Sequence, residues 1–135
     1  MTDASLFYRQ FEDRYRGSRE LILDRLRAYT PYLEVLKLQH GEAAQALDLG
    51  CGRGEWLEVL HEVGLEGRGV DIDPGMLAGC EEKGLTAECG DAIAALRSRE
   101  EGSLALVSGF HIAEHLAFDD LRELVAEAYR ALAKG

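Results

Sequence analysis

Leu47-Asp48-Leu49-Gly50-Cys51-Gly52-Arg53-Gly54-Glu55-Trp56-Leu57 runs from a short apolar stretch, through three alternating glycines, into the start of a helical pattern. Glycine enters left-handed backbone without a Cβ clash but at a cost in chain entropy, so glycines at 50, 52 and 54 mark a tight turn. Strand, turn and helix in that order predict uncovered backbone N–H groups beside a helix N-terminus, and therefore a bound ligand. A dinucleotide fingerprint needs glycine at position 55, where Glu55 stands, and a carboxylate there repels a pyrophosphate. A ligand without phosphate fits this turn better.

Outward from the turn, short apolar runs alternate with helical stretches. Strands are predicted at Ala46 to Leu49, Gly67 to Ile72, Leu85 to Cys89 and Leu104 to Ser108. Between them lie helices over Glu55 to Val63, Gly75 to Lys83 and Ala92 to Arg97. A last helix begins near Asp119 or Asp120 and carries Leu121, Leu124, Val125, Ala128 and Leu132 on one face. Strand–helix–strand repetition implies parallel strands joined by right-handed crossovers, hence an open α/β sheet with helices on both faces.

Upstream, residues 1–43 read as an N-terminal helical segment on a core spanning 44–135, the two forming one structural domain. Ile22, Leu26, Tyr29, Leu33 and Leu36 alternate spacings of four and three, so that face should be buried. Pro31 is tolerated only in the first turn of a helix, which predicts a kink or restart at Thr30-Pro31.

The composition narrows the functional classes. The 135 residues hold 15 Lys plus Arg against 25 Asp plus Glu, a net charge of −10, which argues against nucleic acid or an anionic membrane surface as partner. No apolar run approaches the roughly 18 residues that span a bilayer, and Met1 to Ser5 lacks a signal-peptide pattern, so no membrane insertion and a cytoplasmic location are expected. Cys51, Cys80 and Cys89 are odd in number and lack close-paired spacing, which reads as reduced thiols rather than disulfides or a zinc site. His111-Ile112-Ala113-Glu114-His115 matches the H-x-x-E-H pattern of inverted zinc peptidases. That chemistry needs both histidines on one helix and a further ligand well downstream, so no metal is expected.

Asp48 to Gly54 resembles the first motif of class I S-adenosylmethionine-dependent methyltransferases. Gly69-Val70-Asp71-Ile72-Asp73-Pro74-Gly75-Met76-Leu77 resembles their second motif, Cys89-Gly90-Asp91-Ala92 the third, and Leu106 to Leu116 the segment that ends the fourth strand. Tyr129 to Gly135 resembles the run leading into a fifth strand, so the core reads as C-terminally incomplete. The resemblance implies a Rossmann-like open parallel sheet of order 3-2-1-4 with N-terminal helices, and S-adenosyl-L-methionine as cofactor. The fourth strand is then an edge, which predicts self-association or a covered edge at Leu104 to Val107.

On the matching positions, the resemblance places the backbone of Gly50, Cys51 and Gly52 against the methionine part of the cofactor, with Asp48 toward its ammonium. Asp71 would accept from the ribose hydroxyls. Asp91 would accept from the adenine amino group, with Ile72 and Ala92 lining the base and Phe110 beside the site. Asp71 and Asp91 could instead cap the following helices, although Asp73-Pro74 is the better cap for the first. His111, near the end of the fourth strand, is the candidate base for a hydroxyl or amine acceptor.

The amino-terminal run from Phe7 to Glu20 gathers arginines and tyrosines in an otherwise acidic chain. Local Arg–Glu pairing on a solvated helix is one reading. The other is an acceptor platform of Tyr8, Arg14, Tyr15, Arg16 and Arg19, since guanidinium groups fork onto carboxylate or phosphate. With Gly50 to Trp56 and Ser108 to His111, this run resembles the methyltransferase part of bacterial methyltransferase-kinases that terminate O-antigen chains on a phosphate. That implies a phosphorylated or saccharide acceptor and a place in lipopolysaccharide biosynthesis. A small-metabolite methyltransferase and a non-catalytic cofactor-binding or interaction module are the alternatives.

Overall fold

Four parallel strands in the order β3-β2-β1-β4 form the sheet of the computed structural model, which describes residues 18–41 and 44–134. The strands are β1 (Gln45–Leu49), β2 (Glu66–Asp71), β3 (Thr86–Cys89) and β4 (Leu106–Ser108). Helix α1 covers 18–26 and passes through a 3-10 turn, Arg27–Tyr29, into α2 (Thr30–His40). The remaining helices are α3 (Glu55–Glu62), α4 (Pro74–Glu82), α5 (Ala92–Arg97) and α6 (Phe118–Ala131). The restart expected at Thr30-Pro31 is present, with Pro31 in the first turn of α2, where its missing N–H matters least.

Alternation along β1 divides the core. Ala46 joins Trp56, Leu57, Val59 and Leu60 of α3, Leu23, Leu33 and Cys80 on one face. Leu47 and Leu49 join Val70, Ile93, Leu96, Leu124 and Ala131 on the other. Helices α3 and α4 thus cover one side and α5 and α6 the opposite one, the three-layer arrangement that parallel strands require. Glycines in β2 let α3 sit close: a Cβ at Gly67 would lie 2.9 Å from Leu60 Cδ1, and one at Gly69 would lie 2.5 Å from Cys51 Sγ.

The N-terminal helices are fastened to α3. Arg27 forks onto Glu62 at 3.1 and 2.7 Å, and Leu23 and Leu33 enter the core. Tyr29 departs from the expected buried face and is 48% exposed, because the 3-10 turn rotates it off the α1 stripe. It lies instead edge-on to Trp56 and Phe110, with ring centroids 5.8 and 6.2 Å away.

The fourth strand is shorter than expected, pairing with β1 only over Leu106 to Ser108. Leu104 belongs to a separate parallel bridge with Leu132, held by Leu104 N–H to Ala131 O at 2.9 Å and Ala133 N–H to Leu104 O at 2.8 Å. The chain after α6 therefore covers the first residue of the expected edge. Among the described residues, no helix is long and apolar enough to cross a membrane.

Candidate functional site

A crevice of about 290 Å³ opens at the carboxyl ends of β1 and β4, lined by Asp48, Gly50, Cys51, Gly52, Glu55, Trp56, Phe110 and His111, with Ile22 and Leu26 of α1 across it. Parallel strands place it there, since the turns that follow them diverge where the winding reverses. Register sets its floor: Asp48 lies opposite Gly69 of β2 and Ser108 of β4.

Asp48 is 2% exposed. Ser108 Oγ donates to its Oδ1 at 2.9 Å. Burial, opposed by that hydrogen bond and assisted by the negative charge of Asp71, pushes its carboxyl up to about 7. A cation in the crevice would return it to the ionised form.

The glycine turn works differently from the expectation that its amides face a ligand. Gly50 and Cys51 N–H both donate to Val70 O, at 2.8 and 3.0 Å, and Gly52 N–H donates to Asp71 Oδ2 at 2.9 Å. The left-handed φ of Gly50, Gly52 and Gly54 folds these donors back onto β2. Asp71 receives a second bond from Asp73 N–H at 2.9 Å, so its carboxylate is fixed at the end of β2. Each carboxylate oxygen has further lone pairs for ribose hydroxyls.

Asp73 caps α4 through Gly75 N–H, as expected, and Asp91 caps α5 through Ala94 N–H. Asp91 therefore has the helix-cap role that competed with adenine recognition. Ile72 is 76% exposed and Ala92 half-buried, which leaves both beside a surface where a flat base can lie.

Arg19 requires a correction. Rather than facing an acceptor, it is 4% exposed and donates from Nη1 to Arg53 O at 3.0 Å. It also pairs with Glu58 at 3.5 Å and Glu55 at 4.0 Å. It holds the glycine turn and α3 together. Tyr8, Arg14, Tyr15 and Arg16 lie outside the described residues.

His111 stands at the crevice mouth, with its side chain 90% exposed and Nδ1 3.6 Å from Glu114. Its φ of 58° is left-handed, a strained conformation for a residue with a Cβ. Ala113–His115 is a 3-10 turn, so the two histidines do not share the helix that the zinc motif needs. Among the described residues, no three His, Cys, Asp or Glu side chains gather as a metal site. The Cys80 thiol beside Cys51, with burial, holds Cys51 protonated, which does not suit a nucleophile.

Sequence reasoning missed Ile22, Leu26, Glu55 and Trp56 as lining of the crevice, and Tyr29 as a ring packed against that lining. Trp56, Phe110 and Tyr29 form an edge-to-face cluster, the first two 5.2 Å apart. Burial raises the Glu55 carboxyl above its ordinary range. Asp48 on the floor of a crevice walled by Trp56 and Phe110 makes a cradle for a cationic ligand such as a sulfonium carrying an ammonium, so the residues fit that chemistry.

Residues 46–135 match the family described as Methyltransferase domain. No curated protein sequence matches the chain. A SAM dependent methyltransferase from Archaeoglobus fulgidus is 41% identical, with a TM-score of 0.76 over 94% of this chain and 54% of its own. The bifunctional kinase-methyltransferase WbdD is 22% identical, with a TM-score of 0.70 over 81% of this chain and 27% of its own. A TehB-like SAM-dependent methyltransferase from Corynebacterium glutamicum is 22% identical, with a TM-score of 0.59 over 87% and 68%. The last two likenesses show the fold alone. The chain spans about half the length of the Archaeoglobus structure and about a quarter of WbdD.

Proposed function

The chain belongs to the class I S-adenosylmethionine-dependent methyltransferase family, and from that premise we propose that it binds S-adenosylmethionine in the β1–β4 crevice and directs methyl transfer to a saccharide or phosphorylated saccharide. The observation that carries the cofactor reading is the paired placement of Asp48 and Asp71. One carboxylate lies beneath the crevice and the other is fixed at the end of β2 by two amides.

When bound, the cofactor supplies an activated methyl group on a positively charged sulfur. The chain's own residues bind, orient and exclude water. Asp48 takes the ammonium, Asp71 the ribose hydroxyls, and Phe110 with Trp56 closes one wall. Positioning of a nucleophile in line with the methyl accounts for most of the rate such a site can give. A phosphate or carboxylate acceptor needs little further help. For a hydroxyl acceptor, His111 at the mouth takes the proton.

The aromatic edge beside the crevice supports a saccharide, because half-exposed Tyr29, edge-on to buried Trp56 and half-buried Phe110, offers an apolar face with a polar tip. The test is calorimetric titration with S-adenosylhomocysteine, then methyl transfer to phosphorylated and unphosphorylated glycans and to small metabolites. Binding with Kd below millimolar and transfer to a glycan are expected. Absence of binding to folded protein removes the cofactor reading, and transfer to small metabolites alone replaces the acceptor.

A further inference from the structure

Among the described residues other than glycine, only His111 has a positive φ, 58°. Such backbone costs free energy and persists only where the surrounding structure enforces it. The residues on either side supply the enforcement. Along β4, Leu106 packs against the α3 side of the sheet and Val107 against the α6 side. Continued extended backbone would place Phe110 and Ile112, two residues apart, on one face. They part instead: Phe110 packs with the α3-side core, its ring centroid 5.2 Å from that of Trp56, and Ile112 packs with the α6-side core.

Ile112 is seated in a notch made by two glycines. A Cβ at Gly109 would lie 2.8 Å from Ile112 Cγ2, and one at Gly50 would lie 3.8 Å from its Cδ1. The Ile112 carbonyl is held as well, accepting from His115 N–H at 3.1 Å. Between these two anchors the chain changes faces, and His111 is the one residue available to make the change. Its side chain is left outside both cores, 90% exposed and lining the crevice. Glycine would make this turn without a Cβ clash, so the backbone cost accompanies a retained imidazole.

We propose that Phe110 and Ile112, anchored on opposite faces of the sheet, clamp His111 in its left-handed conformation and so fix the imidazole at the mouth of the crevice. Ile112 is then a positioning residue for the proton transfer proposed for His111. The clamp rests on that reading and deepens it, because Ile112 acts through its neighbour and not on a ligand.

A double-mutant cycle between positions 111 and 112, read by urea unfolding, tests the clamp. In the wild-type background His111→Gly relieves an enforced strain. In Ile112→Ala one anchor is gone and His111 relaxes, so glycine has little left to relieve. The effect of His111→Gly on the folding constant should therefore be about fivefold more favourable in the wild-type background. Ile112→Val, which keeps a methyl at the Cγ2 position, should give the wild-type value. An equal effect of glycine in both backgrounds, or a larger one with Ile112→Ala, reduces Ile112 to core filling and overturns the proposal. Should Ile112→Ala fail to fold, Gly109→Ala replaces it with the same outcomes, since the added Cβ pushes Ile112 out of the notch.

Methyl transfer to an unphosphorylated glycan separates the clamp from the base reading. Ile112→Ala should slow transfer about as much as His111→Ala, with no further loss in the double variant. Additive losses overturn the positioning role and leave His111 as the base. Undiminished transfer by His111→Ala removes the base reading, and the unfolding cycle alone then decides the clamp.

Discussion

The amide of Gly52 donates to Asp71 Oδ2 at 2.9 Å, tying the middle of the glycine turn to the carboxylate at the end of the neighbouring strand. The same carboxylate accepts from Asp73 at the entrance to α4. One side chain thus sets the shape of two loops, so the role proposed for Asp71 toward the cofactor and the geometry of these loops cannot be altered independently.

Asp71→Ala should therefore do two things at once. Loss of hydrogen bonds to a charged group weakens S-adenosylhomocysteine binding by about 1.5 to 3 kcal/mol. Freed amides at Gly52 and Asp73 also lower the melting temperature. Calorimetry and thermal unfolding of the same preparation check both. A variant that loses affinity at unchanged stability would mean that the loop bonds contribute nothing.

Asp48 predicts a pH dependence whose sign follows from its raised carboxyl, about 7 against an ordinary 3.8. The folded state holds this proton more tightly than the unfolded state. The stabilisation is complete below about pH 4 and is lost as pH rises to 7, by roughly 4 kcal/mol at most. Asp48→Asn should remove that slope, so the variant gains stability relative to wild type as pH rises from 4 to 7.5. Affinity for a ligand ammonium should climb over the same range and level off above 7, with proton release visible by calorimetry in buffers of different ionisation heat.

Arg19→Ala should behave as a structural lesion. The guanidinium joins Arg53 O, Glu58 and Glu55, and its removal leaves half-buried carboxylates facing each other, costing about 2 to 4 kcal/mol. Arg19→Lys should not restore the loss, because an ammonium cannot span these partners. Urea denaturation reads the cost. Selectivity between anionic and neutral acceptors should stay as in wild type, and a change in that selectivity at unaltered stability would reinstate the acceptor role.

His111 allows stability and turnover to move in opposite directions. Its left-handed backbone costs a residue with a Cβ about 1 kcal/mol, which glycine avoids. His111→Gly should melt at or above the wild-type temperature yet transfer methyl groups to a hydroxyl acceptor more slowly, whereas His111→Ala should slow without the gain. Equal turnover in all three proteins would leave the imidazole without a chemical role.

The order of elements and the tight turn after β1 were readable from residues adjacent in the chain. Gly50, Gly52 and Gly54 announce a turn because only glycine adopts its φ without strain, and alternating apolar and helical runs announce parallel strands because right-handed crossovers need a helix. Asp71 is placed by its position at a strand end, and Asp73-Pro74 by local capping chemistry. Those signals live within a few residues of one another, and one sequence suffices to see them.

What only the tertiary structure decided depends on contacts between distant segments. Arg19 meets Arg53 and Glu58 across 34 and 39 positions, and its inward turn follows from how α1 rotates about its axis once Leu23 and Leu33 are buried. The glycine amides could have faced a ligand, and they face Val70 O because β2 pairs beside β1. Trp56 could have been an ordinary core residue of an amphipathic helix, since periodicity gives the buried face but not what covers it. Its place in the crevice wall depends on Tyr29 and Phe110, from the far sides of two loops, arriving against the same ring.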